Sequence, residues 1–141
     1  SLKLRGRSEN IASALKEMLL NDTVTLEDKW DGTLLKFNNT DPYFYINETR
    51  RAFIDQKQIE VCLEEKFCVV ELDNFKQAWS AIPENYKEIS SKFDVDIKIF
   101  TFECGIEFTQ EIEISKGEII KDVCYEYDDY QWEVPFSNLG G

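Results

Sequence analysis

Any chemistry in this chain has to run on carboxylates, lysines, tyrosines or thiols, because its 141 residues include 28 Asp and Glu, four Cys and no His. Without an imidazole, neither a Ser-His-Asp nor a Cys-His relay can be assembled. Cys62, Cys68, Cys104 and Cys124 contain no CxxC pair, which excludes zinc sites of the ordinary Cys/His spacing. Calcium needs several oxygens converging from one loop, and Asp94-x-Asp96 and Asp128-Asp129 are only fragments of such a pattern. No Walker loop, nucleophile elbow or dinucleotide fingerprint occurs. A paired-carboxylate acid/base site needs two acids in a desolvated pocket, and nothing in the pattern selects two from 28. No catalytic residue, metal ligand or cofactor is assigned, and the balance leans away from an enzyme.

The formal charge of −12 is unevenly spread, with twelve acids against three bases from Asp94 onward. Such a surface repels a nucleic-acid backbone, whose binding needs cations that displace condensed counterions. It attracts a basic protein partner instead. The longest uncharged apolar run is far short of the ~20 residues that cross a bilayer, and no signal-peptide pattern opens the chain. A soluble cytoplasmic protein with reduced thiols and no membrane association is the expectation. The Asn-x-Ser/Thr matches at Asn21, Asn38 and Asn47 matter only in a secreted protein.

The elements that must position any site follow from periodicity. The length predicts one domain over 1–141, with 128–141 as a C-terminal tail, and the mixture of strands and helices read below makes it α+β. Leu2 to Arg7 reads as a strand, and Ser8 as the N-cap of a helix whose face is Ile11, Leu15, Met18 and Leu19, ended by Asn21-Asp22. Asp31-Gly32 marks a tight turn before a strand from Thr33 to Phe37. Between Tyr43 and Lys57 two readings stay open, since Tyr43 and Tyr45 alternate while Asn47 can cap a short helix with Phe53 and Ile54. A hairpin about Glu65-Lys66 puts Ile59, Val61, Leu63, Cys68, Val70 and Leu72 on one face and Cys62 on the other. Phe75 to Ser80 reads as a helical turn or connector. Pro83 then opens a helix with Ile82, Tyr86, Ile89 and Phe93 on its apolar side.

The last third predicts a three-stranded antiparallel meander. Turning at Cys104-Gly105 aligns Ile97, Ile99 and Thr101 with Phe108, Gln110 and Ile112, and turning at Lys116-Gly117 adds Ile119, Lys121, Val123 and Tyr125. In this register Glu107 faces Glu126 and Glu111 faces Asp122, like-charge pairs that cost roughly 0.2 to 1 kcal/mol each. Phe100 and Phe102 share that face and are out of place on a solvated surface. Either the tail, with Tyr130, Trp132 and Phe136, folds over them or a partner does, and the tail is the plainer expectation. Trp79 is expected to close one end of the core. Trp30, between Lys29 and Asp31, is expected in the core or, second, in a recognition loop. The candidate interaction residues are therefore Trp30, Phe100, Phe102, Glu107, Glu111, Glu113, Asp122 and Glu126.

Phe75, Ala78-Trp79-Ser80 and Pro83, followed by a helical pattern, a strand and Phe102-Glu103-Cys104-Gly105-Ile106-Glu107-Phe108, stand in a telling order. That order resembles the YubB-like, ferredoxin-like domain family of plasmids, phages and other mobile elements. Lys29-Trp30-Asp31 sits where the family carries a Lys-Trp-Asp element, whereas Ile82 and Thr109 replace a family proline and glycine. The resemblance implies a ferredoxin-like α+β fold: an antiparallel sheet with about two helices on one face and an extended C-terminal β-meander. It implies a genetic setting but no reaction. The expected function is a non-enzymatic protein-interaction domain associated with a mobile element, its partner a protein of basic character. One alternative is an acidic inhibitor that imitates nucleic acid in the groove of a host DNA-processing or defence protein. Another is a carboxylate- or Cys-based enzyme. An exposed meander edge would also allow pairing with a second copy.

Overall fold

The computed structural model of the protein describes residues 1–20 and 24–130. In chain order these form β1 (Leu2–Arg7), α1 (Ser8–Met18), β2 (Val24–Lys29), β3 (Gly32–Asn38), β4 (Phe44–Ile46), β5 (Thr49–Ile54) and β6 (Gln58–Glu64). There follow β7 (Phe67–Leu72), β8 (Phe75–Gln77), α2 (Glu84–Phe93), β9 (Asp96–Glu103), β10 (Phe108–Ser115), β11 (Glu118–Glu126) and a 3-10 turn at Tyr127–Asp129. Strands hold 54% of the described residues and helices 19%, which overturns the ferredoxin-like α+β expectation. Three separate antiparallel sheets replace the single sheet: β11-β10-β9-β1-β7, β2-β3-β6 and β4-β5-β8.

The differences have local causes. Asn47 and Glu48 both take left-handed backbone, at φ 51° and 62°, so they make a two-residue hairpin turn between β4 and β5 rather than a helix cap. Phe75 to Gln77 pairs with Ala52 to Ile54, so the expected connector is a strand. Glu65-Lys66 is a corner between sheets rather than a hairpin within one, since β6 pairs with β3 while β7 pairs with β1. The alternation read from the sequence still holds across that corner: Ile59, Val61, Leu63, Cys68, Val70 and Leu72 are buried and Cys62 is exposed. Ser8 does not cap α1. Its hydroxyl donates to the Glu64 carbonyl at 2.5 Å and ties the start of the helix to the corner. The expected helix stop at Asn21-Asp22 lies outside the described residues. Gly32 is required where β3 meets β6, because a Cβ there would come within 2.0 Å of the Leu63 carbonyl oxygen.

One continuous set of buried side chains joins the three sheets and both helices. Leu2, Leu4, Ile97, Ile99, Ile112 and Ile114 form the covered face of the five-stranded sheet. Ile11, Leu15 and Met18 of α1 and Tyr86 and Ile89 of α2 complete the layer. Ser90 anchors α2 by accepting the Gly117 N–H at 3.1 Å, which fixes the helix against the β10–β11 turn.

The segment between β8 and α2 is held by one buried amide. Gln110 Oε1 accepts the Ala81 N–H at 2.9 Å, and its Nε2 donates to the Ala81 carbonyl at 3.1 Å and to Asp122 Oδ1 at 3.2 Å. Gln110→Leu leaves both backbone groups of Ala81 unmet and is expected to destabilise the protein by roughly 2 kcal/mol. Urea unfolding checks this as a lower midpoint at unchanged slope.

Candidate functional site

The meander is present, but two irregularities re-aim its side chains. Cys104 to Glu107 makes a longer turn than expected, so Ile97, Ile99 and Thr101 pair with Ile114, Ile112 and Gln110. A shift of two residues keeps every side chain on its face. In β11 the register slips at Glu113/Ile114, which leaves Ile120 as an additional residue and turns the rest of the strand over. Glu111 then faces Val123 and Glu126 faces Phe108, so neither expected like-charge pair exists.

The eight candidates are consequently dispersed. Glu111 and Glu113 share a face with Phe100 and are neutralised: Lys98 lies 3.0 Å from Glu111 and 3.3 Å from Glu113, and Lys121 lies 2.8 Å from Glu111. The same face continues with Arg5–Asp96 at 2.8 Å and Lys3–Glu71 at 3.7 Å. An acidic face becomes a balanced ion ladder. Asp122 and Glu126 are turned to the opposite face, where Asp122 accepts from Gln110 and the Glu126 N–H donates to Asp129 at 2.9 Å. Glu107 sits in the turn with left-handed backbone, φ 60°. Trp30 is at the tip of the β2–β3 hairpin on a different sheet and is 95% exposed, so it is not a core residue. Of the tail aromatics, Tyr130 meets the Thr109 hydroxyl at 3.1 Å, while Trp132 and Phe136 lie outside the described residues.

What the fold does gather is an aromatic groove of about 670 Å³ between β8 and the end of β9. Asn74 to Trp79 forms one side and Phe100 to Cys104 the other, with Phe53 and Phe108 adding rings. Phe53 belongs to a larger cluster, its ring centroid 5.1 Å from that of Tyr43 and 6.3 Å from that of Tyr45. Trp79 stands at this groove, 74% exposed, with the Arg51 guanidinium 4.3 Å from its ring centroid. Its backbone is left-handed at φ 64°, which a bulky side chain rarely adopts. The Ala78 N–H donates to the Arg51 carbonyl at 2.6 Å on one side, and the Gln110 clamp holds Ala81 on the other. Thr101, also lining the groove, keeps a buried hydroxyl with no hydrogen-bond partner among the described residues. Core closure by Trp79 is thus overturned. The sequence carried no signal for this, because Phe75, Ala81 and Ile82 stand four before, two after and three after Trp79, as the neighbours of a core residue would.

No family model, curated protein or solved structure matches the chain. The site must be read from its own chemistry. Among the described residues no group of three or more His, Cys, Asp or Glu converges as a metal site, and no helix is long and apolar enough to cross a membrane. Cys104 is exposed at the groove, 3.9 Å from the Tyr127 hydroxyl.

The ion ladder makes stability depend on pH. Hydrogen bonds from Lys121 and then Lys98 hold the Glu111 carboxyl below the usual carboxylate range. A depressed pKa contributes stability that is present above the unfolded value, about 4.3, and is lost as pH falls through the folded value. The melting temperature of Glu111→Gln should therefore lie below that of the parent at neutral pH, and the gap should close as the pH is lowered below about 4.

Proposed function

We propose that the chain is a non-enzymatic protein-interaction domain whose recognition site is the aromatic groove between β8 and β9. The observation that carries this reading is Trp79, exposed on a left-handed backbone at the groove and stacked with Arg51. Such a conformation costs about 1 to 3 kcal/mol, persists only where the surrounding structure over-determines it, and is found most often at binding and active sites. Tryptophan and arginine are the residue types that dominate binding energy at protein interfaces. The groove's volume also falls in the range of binding clefts.

A protein fits the groove better than a nucleic acid does. Stacked bases need a cationic channel for their phosphates. At the groove Lys76 is already paired with Asp55 at 2.5 Å, the Arg51 guanidinium lies on the Trp79 ring, the Ser1 ammonium donates to the Phe100 carbonyl, and Glu103 is a carboxylate, so no cationic channel is formed among the described residues. A nucleic-acid mimic needs unpaired rows of acids, whereas Glu111, Glu113, Asp96 and Glu71 each have a cation beside them. The reading takes no weight from the family resemblance, because the fold that it implied is overturned.

Trp79→Gly separates stability from binding. Glycine relieves the left-handed strain, and this offsets the lost cation–π contact of about 0.5 to 1 kcal/mol, so the melting temperature should stay nearly constant. Capture of peptides selected from a random phage-displayed library should be abolished, while Glu126→Gln captures normally. A Trp79→Gly protein that melts much earlier yet captures peptides as before would overturn the proposal.

A further inference from the structure

We infer that the partner binds this groove as an extended, basic segment that adds a strand to the outer edge of β8; this rests on the groove reading above. The argument starts from hydrogen-bond direction. In an antiparallel strand, successive residues aim their N–H and C=O groups to alternate sides. Ala78 and Asn74 bond toward β5, through Ala78 N–H to the Arg51 carbonyl at 2.6 Å and Asp55 N–H to the Asn74 carbonyl at 3.1 Å. Phe75 and Gln77 therefore aim their backbone groups away from β5, at the free edge of the β4-β5-β8 sheet. Among the described residues no strand pairs with that edge.

An open strand edge beside side-chain pockets fits one class of ligand, an extended polypeptide. Main-chain hydrogen bonds supply affinity and alternate side chains enter the pockets. Here the rings of Phe53 and Trp79 supply apolar contacts next to the edge. The chain's net −12 attracts a basic segment, and at the groove each of the described cations already has a partner, Lys76 on Asp55, Arg51 on the Trp79 ring and the Ser1 ammonium on the Phe100 carbonyl, beside the carboxylate of Glu103. The longer edge at β11 is guarded instead: its bulge and its Glu118, Asp122 and Glu126 discourage strand addition there.

The test uses the strongest binder from the phage-displayed library, resynthesised as a free peptide with single N-methyl groups placed along it. N-methylation at every second residue should weaken binding roughly tenfold, as expected for a lost main-chain bond, with little effect at the intervening residues. In hydrogen exchange the Phe75 and Gln77 amides should become protected only when peptide is bound. If Trp79→Gly abolishes binding but N-methylation shows no alternation and the two amides stay unprotected, strand addition is wrong and the groove reading survives. If binding is indifferent to Trp79→Gly, the groove reading itself fails. Protection of the two amides in the free chain, rising with protein concentration, would place a second copy in the groove and overturn the assignment to a partner. Selection of acidic peptides would overturn the basic character assigned to it.

Discussion

Gln110 is the interaction on which the candidate site depends. One buried amide meets both backbone groups of Ala81, so the chain leaving β8 is held against the meander although no ladder forms there. With Ala78 fixed on Arg51 and Ala81 fixed on Gln110, the reversal has to be made by Trp79 and Ser80, and left-handed backbone at Trp79 makes it. Helix α2 begins directly afterwards, with Pro83 as its N-cap, and drops Tyr86 and Ile89 onto the core. The strain at Trp79, the groove wall and the placement of α2 thus follow from the Gln110 clamp acting together with the Ala78–Arg51 bond. A buried polar group of this kind constrains geometry more than it adds stability, because its bonds largely replace bonds to water.

The bulge at Ile120 plays the corresponding part for charge. Without it, Asp122 and Glu126 would line up beside Glu111 on one face, and each pair would repel. The additional residue turns those acids over and brings Lys121 to Glu111 instead, while Asp122 becomes an acceptor for Gln110. A one-residue irregularity therefore both neutralises the sheet face and completes the clamp.

Much of the backbone pattern was legible in the sequence, because burial has a period. The alternation of Ile59, Val61 and Leu63 with Cys68, Val70 and Leu72, the 3.6-residue spacing through Ile11, Leu15 and Met18, and the Pro83 helix all correspond to observed elements. Pairing partners were not legible. Alternation specifies which face of a strand is buried but not which sheet it joins, so the corner at Glu65-Lys66 and the short β4, β5 and β8 strands lay beyond it. Phe100 and Phe102, which the sequence pattern singles out, both line the groove. Trp79 was missed because a lone tryptophan is ordinarily a core residue, and what exposes it is a distant glutamine and a backbone angle. Neither leaves a periodic trace.

The charge of the chain and its exposed aromatics are best understood together. A groove with Trp79 at its edge and a hairpin tipped by Trp30 would favour self-association in a neutral protein. The ion ladder leaves one sheet face balanced, so much of the net −12 must reside elsewhere, as around the hollow lined by Glu17, Glu48, Glu84 and Glu88. Copies of the chain consequently repel one another before their aromatic surfaces can meet, and screening by salt weakens that barrier. A basic segment experiences the opposite sign at the same distance. On the reading proposed above, electrostatics would favour a cationic partner over a second copy, and the groove would set how that partner is held.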